Sequence, residues 1–189
     1  MKLNDLSSPL AFLQSRRSGR PRDLVGPGPS DEELSQILKI AARTPDHGAL
    51  VPYRFVVVEK NRRDALADLY CEALKRDGAH DAKIEKSLAN AHAAPVLIVL
   101  ISSPIRHHKI PIFEQELTCG AAGMNLLHGA HALGYVGGWI TGWPATDPLI
   151  VDAFCKEGER IAGLIYLGTP ACPLEERERP DMEASVSTW

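Results

Sequence analysis

Val96-Leu97-Ile98-Val99-Leu100-Ile101 is the stretch on which the fold turns. A strand's side chains alternate between two faces, so six consecutive apolar residues, four of them β-branched, predict a central strand buried on both sides. The run belongs to a nine-residue apolar segment, Ala93 to Ile101, which is interrupted by Pro95. A membrane-spanning helix needs about 20 such residues, so no membrane role is expected.

Upstream, the pattern predicts a helix over Asp81 to Ala91. Before it comes a helix capped by Asn61 and carrying Leu66, Leu69, Tyr70 and Leu74. Arg54 to Glu59 reads as a strand, Thr44 to Pro52 as a loop. Ser30-Asp31-Glu32-Glu33 is a capping box that opens a helix with Leu34, Ile37, Leu38 and Ala41 on one face. Pro21 to Ser30 reads as a loop. Ser8-Pro9 starts a first short helix expected to end near Ser18-Gly19.

Downstream, the longest helical pattern runs from Pro111 to about Leu133, with an unusually small middle at Gly120 to Gly123 that invites close packing by another helix. Strands follow at Tyr135 to Ile140 and Ile161 to Gly168, with a helix from Pro148 to Cys155 between them. The tail from Thr169 reads as extended. Helices alternating with strands around one sheet give an α+β or α/β class.

The 189 residues suit a single domain, 1–189, and the 44% hydrophobic, 24% charged balance is that of a globular chain. Twenty-one basic and 24 acidic residues leave a net charge of −3, which argues against a nucleic-acid coat. The N-terminus lacks the apolar core of a secretory signal, so a cytoplasmic protein is the expectation. Cys71, Cys119, Cys155 and Cys172 form no C-x-x-C pair and are expected to be reduced, buried structural residues. The P-loop, G-x-G-x-x-G, G-x-S-x-G and H-E-x-x-H motifs are all missing. His128 and His131 share a helical face and His107-His108 adjoin, but no third ligand accompanies them, so no metal is expected.

Three clusters carry chemistry. Arg16-Arg17-Ser18-Gly19-Arg20-Pro21-Arg22 concentrates four arginines in seven residues, the fork-shaped donors that phosphate oxygens match. A solvated basic arm is the alternative. Arg43-Thr44-Pro45-Asp46-His47 lies where a helix breaks, and could equally be a helix terminus and no more. Gly134-Tyr135-Val136-Gly137-Gly138-Trp139-Ile140-Thr141-Gly142-Trp143 reads as a strand against which a flat ligand could lie between Trp139 and Trp143, or as a glycine-weakened edge strand.

With Pro52-Tyr53-Arg54-Phe55, Glu114-Gln115-Glu116 and Tyr166-Leu167-Gly168-Thr169-Pro170, these clusters occur in the order and spacing of a known family. Over nearly its whole length the chain resembles the nitroreductase superfamily of flavin-dependent NAD(P)H oxidoreductases, especially a small bacterial branch with a Pro-Asp-His loop. The resemblance implies a three-layer α+β fold with a central mixed sheet flanked by helices. It also implies FMN bound at the interface of an intertwined homodimer, NAD(P)H as co-substrate and a small-molecule oxidant.

On that resemblance, Arg16, Arg17 and Ser18, with Arg20 beside them, would grip the FMN phosphate. Arg43 and His47 would border the ring. Trp139, Ile140 and Thr141 would set backbone groups beside it, and Arg177 and Arg179 of the tail would reach the phosphate. A nicotinamide-cofactor segment would fall on Gly129 to Gly134. No acid–base triad is needed, since a flavin carries its own hydride chemistry. The larger branch has Asn at the place of His47 and Gln-Pro-Trp at that of Val51-Pro52-Tyr53. A non-catalytic flavin- or nucleotide-binding dimer and an RNA-binding arm are the other readings.

Overall fold

The computed structural model describes residues 2–189. Strand β3 (Val96–Ser102) divides the molecule as its sequence requires. Leu97, Val99 and Ile101 join one apolar cluster with Leu66, Ala67, Tyr70, Ala91 and Ile150. Ile98 and Leu100 join a second with Ile37, Ala41, Cys119, Ala122, Leu126 and Ala130. The first set comes from helices α3 (Arg63–Arg76), α4 (Asp81–His92) and α6 (Pro148–Phe154). The second comes from α2 (Asp31–Ala41) and α5 (Ile112–Ala132). Alternate side chains of one strand therefore glue two helical layers to a central sheet, the three-layer α+β arrangement expected.

The remaining strands are β1 (Leu24–Val25), β2 (Tyr53–Val57), β4 (Val136–Ile140) and β5 (Arg160–Pro170). They lie in the order β2-β3-β5-β4, with β1 paired to the last two residues of β5. Every pairing among the described residues is antiparallel, which corrects the expected mixed sheet.

Local chemistry explains most element ends. Ser8 Oγ accepts from the Ala11 amide and opens α1 (Pro9–Ser15). The helix stops three residues earlier than expected, because Arg16 turns to an extended ψ of 127°. The Ser30–Glu33 capping box forms in both directions. Asn61 does not cap α3: it sits in a 3-10 turn, Lys60–Arg62, that precedes the helix. The loop expected over Pro21 to Ser30 contains a 3-10 turn, Pro21–Asp23, and β1. In the extended tail, Asp181 caps one helical turn, α7 (Met182–Ser185). Cys172 is exposed at the start of that tail, not buried.

The glycines of α5 divide by role. A Cβ on Gly123 would lie 2.6 Å from Trp139 and 2.7 Å from Leu100, and one on Gly129 3.2 Å from Ile40, so both serve packing within the chain. A Cβ on Gly120 would meet nothing within 4 Å. Gly120 and Ala121 lie in a face of α5 that also carries Phe113 and Leu117, 66% and 58% exposed, and the half-buried Met124.

Candidate functional site

Past the end of α1 the chain runs along β4, held by Asn4 on one side and by β4 itself on the other. The Asn4 side chain accepts from the Arg17 amide at 2.8 Å and donates to the Arg17 carbonyl at 3.1 Å, imitating a strand partner. The Gly19 amide donates to the Gly137 carbonyl at 3.1 Å. The Gly19 carbonyl rests directly over Gly138, where a Cβ would come within 2.5 Å of its oxygen. Glycines 137 and 138 weaken a strand by propensity. What they provide is a bare strip of backbone on which the arginine loop can lie.

This loop forms one wall of a cleft of about 750 Å³. Arg16, Arg17, Ser18 and Arg20 line it from one side, Arg177 and Arg179 from the tail, and Trp139 and Ile140 from the end of β4. The two arginine groups, 157 residues or more apart in sequence, thus meet. Arg179 donates to the Arg16 carbonyl at 3.2 Å, and Arg16 donates to Ser18 Oγ at 3.2 Å. Arg17 donates to the Glu175 carbonyl at 2.7 Å.

The cleft is short of negative charge. Its lining holds five arginines against Glu175, Glu176 and Glu178. Glu175 pairs with Arg20 at 3.0 Å and Glu176 with Arg179 at 2.7 Å. Partial burial, then Arg179 and Arg17 nearby, lower the Arg16 pKa, with Glu176 only partly offsetting them. Cations that disfavour one another at the rim of a concavity make a site that gains by taking up an anion.

Other expected site residues lie elsewhere. Thr141 is exposed and sits beyond the cleft lining. The Trp139 indole does not face the cleft as a border. It fills the space over Gly123 and Gly163 and donates Nε1–H to the Ala162 carbonyl at 3.2 Å. Trp143 packs on Tyr70 with ring centroids 5.1 Å apart, in the opposite apolar layer. In the 129–134 segment, Gly129 is buried against Ile40 and His131 is buried, while Gly134 closes the helix at φ 88°. Only the end of that segment offers surface to a nucleotide.

Arg43 and His47 do not reach the arginine cleft within one chain. Arg43 is exposed just past α2. The loop after it follows α5, with Thr44 Oγ1 accepting from Asn125 at 2.8 Å. His47 Nδ1 lies 2.8 Å from Glu114 Oε2, near the start of α5. His128, beside Arg16, is fourteen residues further along, about 21 Å of helix.

Sequence reasoning missed Asn4, His131 and the tail glutamates. Asn4 left a signal, since Asn tolerates its φ of 50° and its side chain mimics a peptide. Among the described residues no group of three or more His, Cys, Asp or Glu could hold a metal ion, and no helix is long and apolar enough to cross a membrane.

Comparison with known proteins gives the family and the fold. The family model described as "Nitroreductase family" matches residues 13–169. The chain is 34% identical over 162 residues to the Escherichia coli K12 protein named "Putative NAD(P)H nitroreductase YdjA", covering 85% of this chain and 87% of that one. A crystal structure of a nitroreductase-like family protein from Bacillus cereus superposes with a TM-score of 0.81 at 20% identity, covering 97% of this chain and 96% of that one. The NADPH:FMN oxidoreductase from Vibrio harveyi, complexed with NAD+, superposes with a TM-score of 0.73 at 17% identity, covering 95% and 76%.

Proposed function

Because the chain belongs to the nitroreductase family, we propose that it is an FMN-dependent oxidoreductase. It would carry hydride from NAD(P)H to a small oxidant such as a nitroaromatic or a quinone. The observation that carries this reading is the convergence of Arg16, Arg17, Ser18 and Arg20 with Arg177 and Arg179 on one cleft against β4. Five arginines facing three glutamates leave the balance that a phosphate dianion fills, so the residues present fit the phosphate end of FMN.

When bound, FMN supplies the hydride chemistry. The chain's part is to hold and orient. Arg16 and Arg17 would hold the phosphate with Ser18, Arg177 and Arg179 would contribute from the tail, and the backbone at the end of β4 would flank the ring. Arg43 and His47 would line the ring from a second copy of the chain, each site then taking one end of α5 from each protomer, an arrangement that their distance from the cleft within one chain supports. The exposed apolar face of α5, Phe113 and Leu117 with Gly120 and Ala121 open to close approach, is the surface on which two copies meet. With a single site for both substrates, reductant and oxidant would be taken in turn, and NAD(P)+ would have to leave before the oxidant could enter.

The test is optical. The purified protein is expected to show flavin absorption and to bleach with NAD(P)H in the absence of oxygen. A colourless protein that takes up no FMN overturns the reading, and a yellow protein that never bleaches is a flavin carrier instead. Parallel lines are expected when NAD(P)H is varied at several fixed oxidant concentrations, and intersecting lines would remove the shared site.

A further inference from the structure

Helix α5 carries a histidine that the proposed chemistry does not use. His131 is 1% exposed, in the last turn of the helix. Its Nε2 accepts the Gly137 amide at 2.9 Å, so the ring is neutral with its proton on Nδ1, and Nδ1 is buried with no hydrogen-bond partner. An unpaired buried donor forfeits the hydrogen bonds it made to water in the unfolded chain, a net cost to stability. An apolar side chain of similar size would avoid that cost but could not accept the Gly137 amide.

The Gly137 amide matters because of what its carbonyl does. Gly137 stands opposite Leu167 of β5. Its carbonyl accepts the Gly19 amide and its N–H goes to His131, so both of its peptide groups leave the sheet on the free side of β4. One bonded series therefore runs from His131 through Gly137 to Gly19, between Ser18 and Arg20. The two bonds belong to the peptide groups on either side of the Gly137 Cα, so the link between them is positional: holding the N–H in place sets where the carbonyl, and with it Gly19, can lie. The same ring packs edge-on to Phe12 of α1, with centroids 5.8 Å apart, and α1 leads directly into Arg16. His131 thus braces the arginine loop from behind at two points.

Resting on the FMN reading above, we propose that His131 is the positioning residue of the phosphate clamp: its neutral Nε2 fixes β4 at Gly137, and through Gly137 and Gly19 it fixes the register of Arg16 to Arg20 on the cleft. It touches no part of the flavin. Its contribution is to affinity for the phosphate and not for the ring.

That separation defines the experiment. FMN and riboflavin, which lacks the phosphate, are titrated into flavin-free protein by fluorescence quenching. His131→Leu is expected to weaken FMN at least tenfold and to leave riboflavin within about twofold. His131→Gln, whose amide oxygen can reach the Gly137 N–H, is expected to recover most of the loss. Equal weakening of both ligands, or FMN affinity unchanged in His131→Leu, overturns the proposal. In the wild-type protein, ring ¹⁵N shifts must report the Nδ1–H tautomer at neutral pH, and the Nε2–H tautomer overturns the proposal even if the leucine variant does not fold. A wild-type protein that binds neither flavin refutes the FMN reading itself, a result distinct from all of these.

Discussion

Leu117→Asp tests whether the FMN site needs two chains. Leu117 is 58% exposed on α5, two turns before the half-buried Met124 and one turn after Phe113. Within one chain the change is a surface substitution, expected to alter stability by no more than about 0.5 kcal/mol. At a subunit contact it is different. Burying what remains of the leucine is worth about 1–2 kcal/mol, and two-fold symmetry counts it twice. The aspartate also takes two unpaired carboxylates into a closed apolar contact, at a further cost of about 1–3 kcal/mol each. A loss of about 4 kcal/mol or more raises the dimer dissociation constant about a thousandfold. Sedimentation velocity at micromolar concentration is expected to show a folded monomer, and gel filtration to show that it has lost FMN. Lys86→Asp, on exposed surface of α4 in the other layer, should remain a yellow dimer. A Leu117→Asp protein that stays dimeric, or a monomer that keeps FMN, refutes the shared site.

Arg16→Ala or Arg17→Ala should weaken FMN by about 1.5–3 kcal/mol, or 10- to 150-fold, as expected of hydrogen bonds to a charged group; equilibrium dialysis that finds both unchanged returns the cluster to a solvated arm. Glu176→Gln frees Arg179 from its carboxylate and should tighten FMN at low ionic strength, the gain disappearing in high salt; weaker binding would mean that Glu176 positions Arg179. Stability should depend on pH through His131. Burial first, then Arg16 and His128, push its pKa from 6.5 to about 4, so below pH 6.5 the unfolded chain takes up a proton that the folded chain refuses. The stabilisation is whole above pH 6.5 and fades towards pH 4, by about 3 kcal/mol in all. Glu159, held near 2 chiefly by its bond to Arg54, adds a loss from pH 4.5 downward. His128, its pKa also lowered by burial and then by Arg16, leaves a smaller slope of the same sign; a melting temperature flat from pH 6.5 to 5 in the wild type, or a slope there undiminished in His131→Leu, contradicts the assignment.

Residues whose local chemistry agrees with their tertiary place were legible in the sequence. Val96 to Ile101 announces a strand covered on both faces, and the structure puts α3, α4 and α6 on one face and α2 and α5 on the other. Ser8 and Ser30 cap the helices they precede. Elements decided by long-range pairing were not legible. Leu24-Val25 is a strand only because Thr169 and Pro170 lie opposite, and nothing within Pro21 to Ser30 encodes that partner. Asn61 has a good capping side chain, yet the 3-10 turn carries it past the helix start. Parallel against antiparallel pairing is likewise a property of the whole chain path.

The site divides along the same line, for a reason that the glycines make plain. Gly123 and Gly137-Gly138 mark places of close approach, but the sequence does not name what approaches. Gly123 admits the Trp139 ring, which turns the indole towards α5 and leaves the rest of Trp139 at the cleft, and Gly138 admits the Gly19 carbonyl, which brings the arginines to it. One strand therefore sends its bulky side chain inward and offers bare backbone outward. That is why a stretch which looks like a weakened edge by propensity is the floor of the arginine-lined cleft. The arginines themselves were visible as a charge cluster, and the tail pair as candidates, because like charges so dense need an anion. Arg43 and His47 stood out in the sequence as polar residues where a helix breaks, but only the resemblance set them beside a flavin ring, and within one chain the length of α5 keeps His47 away from the cleft. Helix α5 holds the Arg16 end and the His47 end about 21 Å apart. Its exposed apolar face lies between them, so a second α5 packed antiparallel on that face would bring each end to its missing half.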